Sequence, residues 1–136
     1  MMMPMMKRIA SLALIAAALA APATAARRTP DEQLAKLLEG RVAQAPVNCI
    51  NPSQATSTQI VAGKAIVYGV GSRLYVNVPR GRAETMRSDD ILITRQFGSQ
   101  LCRNDQVQLL ERGLSIPRGI TLLGDFVPYV KADAAK

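Results

Sequence analysis

The two cysteines are the residues of this chain whose chemistry is easiest to define. Cys49 and Cys102 lie 53 positions apart, so they cannot form a Cys-x-x-Cys redox motif. In an oxidising compartment, two such cysteines form a structural bridge, and we predict a Cys49–Cys102 disulfide. In the chain-entropy model, closing a loop of this length stabilises the fold by about 4 kcal/mol.

The absence of histidine excludes several classes of catalytic and metal site. The 136 residues include no histidine, whereas Ser-His-Asp and Cys-His catalysis both need an imidazole base. The common zinc sites also rely on histidine ligands. We therefore predict no catalytic residue, no metal site and no cofactor.

Carboxylates are the remaining candidates for acid–base chemistry. Asp89 and Asp90 are adjacent, so on a strand they would point to opposite faces, and the run Ser-Asp-Asp is typical of a turn. Asp105 and Asp125 could meet in the fold, although their spacing does not show it. A small periplasmic enzyme with a carboxylate-based site is therefore the alternative function.

Arginine carries most of the positive charge. The net charge is +7, and outside the first 25 residues fifteen basic and ten acidic side chains leave +5. The densest basic run contains Arg80, Arg82 and Arg87, and guanidinium groups pair well with phosphate and carboxylate. We predict that these three side chains contact an anionic envelope component or a protein partner; the alternative is that they only solvate a loop. The few aromatic residues are not interleaved with basic ones, so no nucleic-acid partner is predicted.

The first 25 residues have the pattern of a secretory signal peptide. Residues 1–8 are short and positively charged, residues 9–21 are apolar, and Ala23-Thr24-Ala25 is a small-residue cleavage site before Ala26. A membrane anchor is the alternative, but the apolar run is shorter than the roughly 20 residues that span a bilayer. We predict a periplasmic or secreted protein with no integral membrane span after cleavage.

A helix is predicted in the N-terminal segment, residues 26–46. The run Thr-Pro-Asp-Glu at 29–32 forms a capping box with proline at the first helical position. One apolar stripe follows, made of Leu34, Leu37 and Leu38. Val42 extends this stripe if the helix continues through Gly40.

Residues 47–130 are predicted to form a β-rich domain, followed by a frayed tail at 131–136. Apolar residues alternate along 65–70 and 74–78, and a glycine-containing link between them predicts a hairpin. Further strands are predicted at residues 47–50, 60–61, 91–95, 106–109 and 120–129. The polar run 54–59 is predicted as a loop, and Pro128 predicts an edge strand. The expected fold is mainly β, α+β at the margin: a small antiparallel barrel or sandwich with one N-terminal amphipathic helix.

Three short runs resemble a group of small exported proteobacterial proteins known only as a domain of unknown function. They are Leu-Cys-Arg-Asn-Asp at 101–105, Tyr-Val-Asn at 75–77 and Leu-Gly-Asp-Phe at 123–126. The resemblance covers residues 47–129 and implies export and a β-rich fold, but no catalytic residue. That group has glycine at the position of Asn104 and often has extra cysteines, and this chain has neither. The function predicted overall is a non-catalytic periplasmic binding or interaction module with a mildly basic surface.

Overall fold

A computed structural model of the chain describes residues 26–135, so the predicted signal peptide lies outside the described residues. This part of the chain contains one α-helix, ten β-strands and three short 3-10 turns. The helix is α1 (Pro30–Leu37), and the strands are β1 (Arg41–Ala43), β2 (Cys49–Ile50), β3 (Ala55–Val61), β4 (Ala65–Val70), β5 (Arg73–Asn77), β6 (Ile91–Arg95), β7 (Leu101–Cys102), β8 (Gln106–Leu110), β9 (Pro117–Leu122) and β10 (Phe126–Lys131). The 3-10 turns are Pro52–Gln54, Ala83–Thr85 and Ala132–Ala134.

All strand pairs are antiparallel, and the strands form three sheets. The largest has five strands in the order β1-β10-β5-β4-β3, the second has the order β6-β8-β9, and β2 pairs with β7. The sheets are not closed into a barrel, and the arrangement is sandwich-like. The predicted mainly β fold with one N-terminal helix is therefore confirmed, and its architecture is the sandwich.

The main hydrophobic core lies between the five-stranded and three-stranded sheets. Phe126 and Ile66 from the first sheet and Val107 and Leu109 from the second are all fully buried. The rings of Phe126 and Tyr68 are tilted, with centroids 5.9 Å apart. The burial of Val107 and Leu109 confirms the alternation predicted for β8, since both point into the core from one face.

Helix α1 covers part of the other face of the five-stranded sheet. Thr29 and Glu32 form the predicted capping box, and the stripe of Leu34, Leu37 and Leu38 packs against the buried residues Val61, Ala65, Val67 and Val76. Because helix and opposite sheet cover its two faces, β4 is buried almost throughout, which explains its continuous apolar sequence. No helix within residues 26–135 is long and apolar enough to cross a bilayer.

Two local predictions at the start of the domain are wrong. Gly40 adopts a positive φ of 72° after the helix has ended, so Val42 lies on β1 and does not extend the stripe. Residues 55–59, predicted as part of a loop, belong to β3. This strand is at the edge of its sheet and residues 56–59 are exposed, so their polar character carried no sign of a strand.

The predicted last strand, residues 120–129, is in fact two strands in different sheets. Residues 123–125 separate β9 from β10, so the break is wider than the predicted bulge. Pro128 lies on β10, which pairs with both β1 and β5 and is not an edge. The carbonyl of Pro128 accepts from the N–H of Gln44, just beyond the last residue of β1, so the missing proline N–H removes only one bond at the end of that pairing.

Candidate functional site

The predicted disulfide is present and fixes the turn that follows it. Cys49 and Cys102 are bonded and lie directly opposite each other in the pair β2 and β7, with their Cα atoms 4.0 Å apart. Asn104 has the positive φ of 71° predicted for this turn, and the Asp105 carboxylate accepts from the N–H of Cys102 at 2.7 Å. The bridge and the turn are therefore structural.

The basic connection, residues 79–87, is attached to strand β9 at its start. The N–H of Arg80 donates to the carbonyl of Leu122 at 2.8 Å, and Gly81 forms a β-bridge with the same residue. The Thr121 hydroxyl, which is buried, donates a hydrogen bond to the carbonyl of Gly81. These contacts position the first part of the connection against the three-stranded sheet.

A buried ion pair holds the second part of the connection. Arg118 on β9 donates from Nη1 to the carboxylate of Asp90 at 3.0 Å and from Nη2 to the carbonyl of Thr85 at 2.7 Å. The other carboxylate oxygen of Asp90 accepts from the N–H of Arg87 at 2.8 Å. The side chains of Asp90 and Arg118 are only 1% and 16% exposed. A buried pair is stable only when its remaining polar atoms are hydrogen-bonded, and here they are.

This ion pair was not predicted, because local sequence pattern gives no signal for it. The neighbours of Asp90 indicate a Ser-Asp-Asp turn, and those of Arg118 indicate an Ile-Pro-Arg-Gly turn. The two residues are 28 positions apart, and only the pairing of β8 with β9 and β6 brings them together.

The three candidate arginines lie on this anchored connection with their side chains exposed. Nη1 of Arg80 donates to the amide oxygen of Asn104 at 3.2 Å, whereas the guanidinium groups of Arg82 and Arg87 have no hydrogen-bond or ion-pair partner within residues 26–135. Arg82 also adopts a left-handed φ of 57°, which is unusual for a residue with a side chain. Glu84 is the one acidic residue of the connection and partly offsets its charge.

An apolar groove lies beside Arg80, on the face of the five-stranded sheet that α1 leaves open. Its volume is about 350 Å³. Its apolar wall consists of Leu34, Val76, Val78, Val127 and Tyr129, with Arg80, Gly124 and Asp125 at one end. Because Asp125 is paired with Arg103 at 3.1 Å, the cation of Arg80 is the charge left for a ligand at this end. The groove therefore suits an apolar group that lies next to an anionic one.

The carboxylates considered for catalysis are engaged in contacts that hold the fold. Asp105 binds the backbone of Cys102, Asp125 pairs with Arg103, and Asp90 is buried against Arg118. A role as general base would require each of these contacts to break. Among residues 26–135, no three Cys, Asp or Glu side chains are grouped as metal ligands.

Comparison of the chain with protein-family models, curated proteins and solved structures finds no match. The resemblance to exported proteins of unknown function stays a prediction. What this surface binds is inferred below from its own charge, shape and anchoring.

Proposed function

We propose that this chain is a non-catalytic binding module that holds an anionic partner through Arg80, Arg82 and Arg87. The observation that carries the proposal is the contrast between two sets of arginines. Arg103 and Arg118 are each paired with a carboxylate, whereas the three arginines of the basic connection have none within residues 26–135. Guanidinium groups left unpaired in one segment provide charge-assisted hydrogen bonds for phosphate or carboxylate groups of a partner.

The anchoring of the connection supports binding because it fixes the backbone that carries these side chains. Contacts at Gly81, Thr85 and Arg87 tie the segment to β9 and to Asp90. A loop already held in one conformation loses little conformational entropy when a partner binds. The arginine side chains themselves remain free to adjust to the partner.

The groove beside Arg80 narrows the chemistry of the partner. An anionic group at Arg80 places any apolar group attached to it against Val78 and Val127, both of which line the groove. A protein segment or an amphiphilic envelope molecule has this combination of groups, whereas a small inorganic anion does not. We therefore favour a partner of the cell envelope.

The compartment is part of the same proposal. The apolar leader at residues 1–25 and the Cys49–Cys102 disulfide both support export to the periplasm or the extracellular space. The net charge of +5 outside the leader favours encounter with anionic surfaces there.

The test compares two variants that lose the same charge. The first replaces Arg80, Arg82 and Arg87 with alanine, and the control replaces three other exposed arginines, Arg27, Arg28 and Arg73. Purified residues 26–136 are passed over immobilised envelope extract at about 20 mM and about 300 mM salt. We expect the first variant to lose retention at low salt while the control variant keeps most of it.

Thermal unfolding of both variants shows whether the fold is intact. We expect unchanged midpoints, because exposed arginines without partners contribute little to stability. Equal retention of the wild type and the first variant at both salt concentrations would refute the proposal. Equal loss in both variants would show that net charge, and not the basic connection, causes retention.

A further inference from the structure

The outer strands of the two large sheets differ in how well they are protected against pairing with another chain. β1 has only three residues, β3 is polar and has a register shift near its start, and β9 contains Pro117 and bridges to Gly81. Such short, bulged or covered edges discourage pairing with another strand. β6 has the sequence Ile-Leu-Ile-Thr-Arg and none of these protections.

The backbone groups of β6 that face outward can be identified from the neighbouring strands. Leu123 donates to the carbonyl of Asp105 at 3.0 Å and Glu111 donates to Ile116 at 2.9 Å, so the odd-numbered residues of β8 face β9. The even-numbered residues of β8 therefore face β6, where they are opposite Ile91, Ile93 and Arg95.

It follows that Leu92 and Thr94 direct their N–H and C=O groups away from β8. Within residues 26–135 no other backbone group forms a hydrogen bond with either of them. This open edge offers two donors and two acceptors to an incoming strand.

The charges at the two ends of β6 indicate which strand fits. Asp89 precedes the strand and Arg95 ends it; both side chains are exposed, and neither has an ion-pair partner among the described residues. Two antiparallel copies place the acidic end of one strand next to the basic end of the other. We propose that β6 pairs antiparallel with β6 of a second copy of this chain.

The register of this pairing follows from the outward backbone groups. Leu92 of one copy pairs with Thr94 of the other, twice, which places Ile93 opposite its own copy at a non-hydrogen-bonded position where side chains are closest. Arg95 then lies diagonally across from Asp89 of the other copy, within reach of a long side chain. Ile93 is 40% exposed in the monomer, so the pairing also buries apolar surface.

A single pair of five-residue strands buries less than a standard interface, so we expect a weak dimer with a Kd of about 10 to 100 µM. Sedimentation velocity of residues 26–136 from about 10 µM to about 1 mM should therefore show conversion of monomer to dimer. A wild type that stays monomeric across this range overturns the proposal.

Charge-reversal variants test the partner and the register together. Asp89→Arg and Arg95→Glu each place like charges together at both ends of the pair, and we expect each to weaken dimerisation about tenfold. An equimolar mixture of the two should dimerise, because each Glu introduced at 95 meets an Arg introduced at 89, and each native Asp89 meets a native Arg95. Dimerisation of the single variants as strong as wild type, or a mixture as weak as they are, would contradict this register.

A second pair of variants separates the strand edge from the apolar face of the sheet. Ile93 and Ile120 are on the same outward face, 40% and 48% exposed, but Ile120 is on β9, two strands from the open edge. We expect Ile93→Lys to abolish the dimer, since it sets two lysines opposite each other, and Ile120→Lys to leave it intact. Loss of the dimer in Ile120→Lys alone would assign association to the face of the sheet and overturn pairing along β6.

Discussion

Asn77 makes a pair of hydrogen bonds whose loss can be tested by pH. Its side chain is fully buried at the end of β5; Nδ2 donates to the carbonyl of Gly124 at 2.8 Å and Oδ1 accepts from the N–H of Gly124 at 2.9 Å. One amide therefore satisfies both backbone groups of a buried glycine. A side chain at 124 would collide with the carbonyl oxygen of Val78, so this close approach requires glycine.

The variant Asn77→Asp changes one atom of this contact and keeps its shape. One carboxylate oxygen still accepts from the Gly124 N–H, but the other faces the Gly124 carbonyl, so the charged form has a buried repulsive contact. The protonated form donates to that carbonyl as the amide does. The folded protein therefore raises the pKa of the introduced carboxyl above its ordinary value of about 3.9.

A raised pKa in the folded state fixes the sign of the pH dependence. The folded variant binds its proton more tightly than the unfolded chain does, so its stability is greatest below about pH 4 and falls as pH rises through the folded-state pKa. At neutral pH we expect a loss of about 3 kcal/mol from the buried, uncompensated charge. For a domain of this size, such a loss lowers the Tm by about 15 °C.

The assay is thermal and urea unfolding between about pH 3 and about pH 7, with Asn48→Asp as the control. Asn48 is exposed, so the same chemical change there should leave stability close to the wild type at every pH. If the difference between Asn77→Asp and this control is absent at neutral pH, or grows as pH falls, the buried Gly124 contact does not have the role inferred for it.

Two further predictions concern the core and the disulfide. Replacing Cys49 and Cys102 with alanine removes a covalent loop and should lower the free energy of unfolding by about 4 kcal/mol in urea titrations; a change below about 1 kcal/mol would show that the bridge constrains the unfolded chain little. The hydroxyl of Tyr68 is buried with no hydrogen-bond partner among residues 26–135, and burial raises the pKa of this phenol. Tyr68→Phe should therefore leave stability unchanged or raise it by about 1 kcal/mol, and a clear loss in the same titrations would reveal a partner for the hydroxyl.

Local patterns predicted the parts of the fold whose burial follows from their own sequence. Val107 and Leu109 alternate with polar residues, and the link between β4 and β5 contains glycine, so both features were predicted correctly. β3 was missed because its exposed edge position allows polar residues on both faces. The break between β9 and β10 was underestimated because Asn77, 47 positions away, supplies the hydrogen bonds that Gly124 would otherwise find in a strand.

The candidate site shows the same division between local and distant information. Density of charge identified the segment with Arg80, Arg82 and Arg87, and all three are exposed on one connection; their proposed role in binding stays a prediction. The groove beside Arg80 was not predicted, because its walls come from α1, β5 and β10. Only the antiparallel pairing of β10 with β5 brings Val127 opposite Val76.

Exposed arginines without partners are common, so the feature that most favours a role for these three is what holds their backbone. A connection that only joins β5 to β6 does not require a buried ion pair, because apolar residues of similar volume stabilise a fold equally well. What the pair of Asp90 and Arg118 adds is direction: its atoms engage the Thr85 carbonyl and the Arg87 N–H, and so select one conformation of the connection. Arg82 is held in a left-handed conformation within this segment, at a strain typical of functional loops. A fold that fixes the backbone of a surface loop to this degree, while leaving its cations unpaired, has the properties of a binding surface that is formed before its partner arrives.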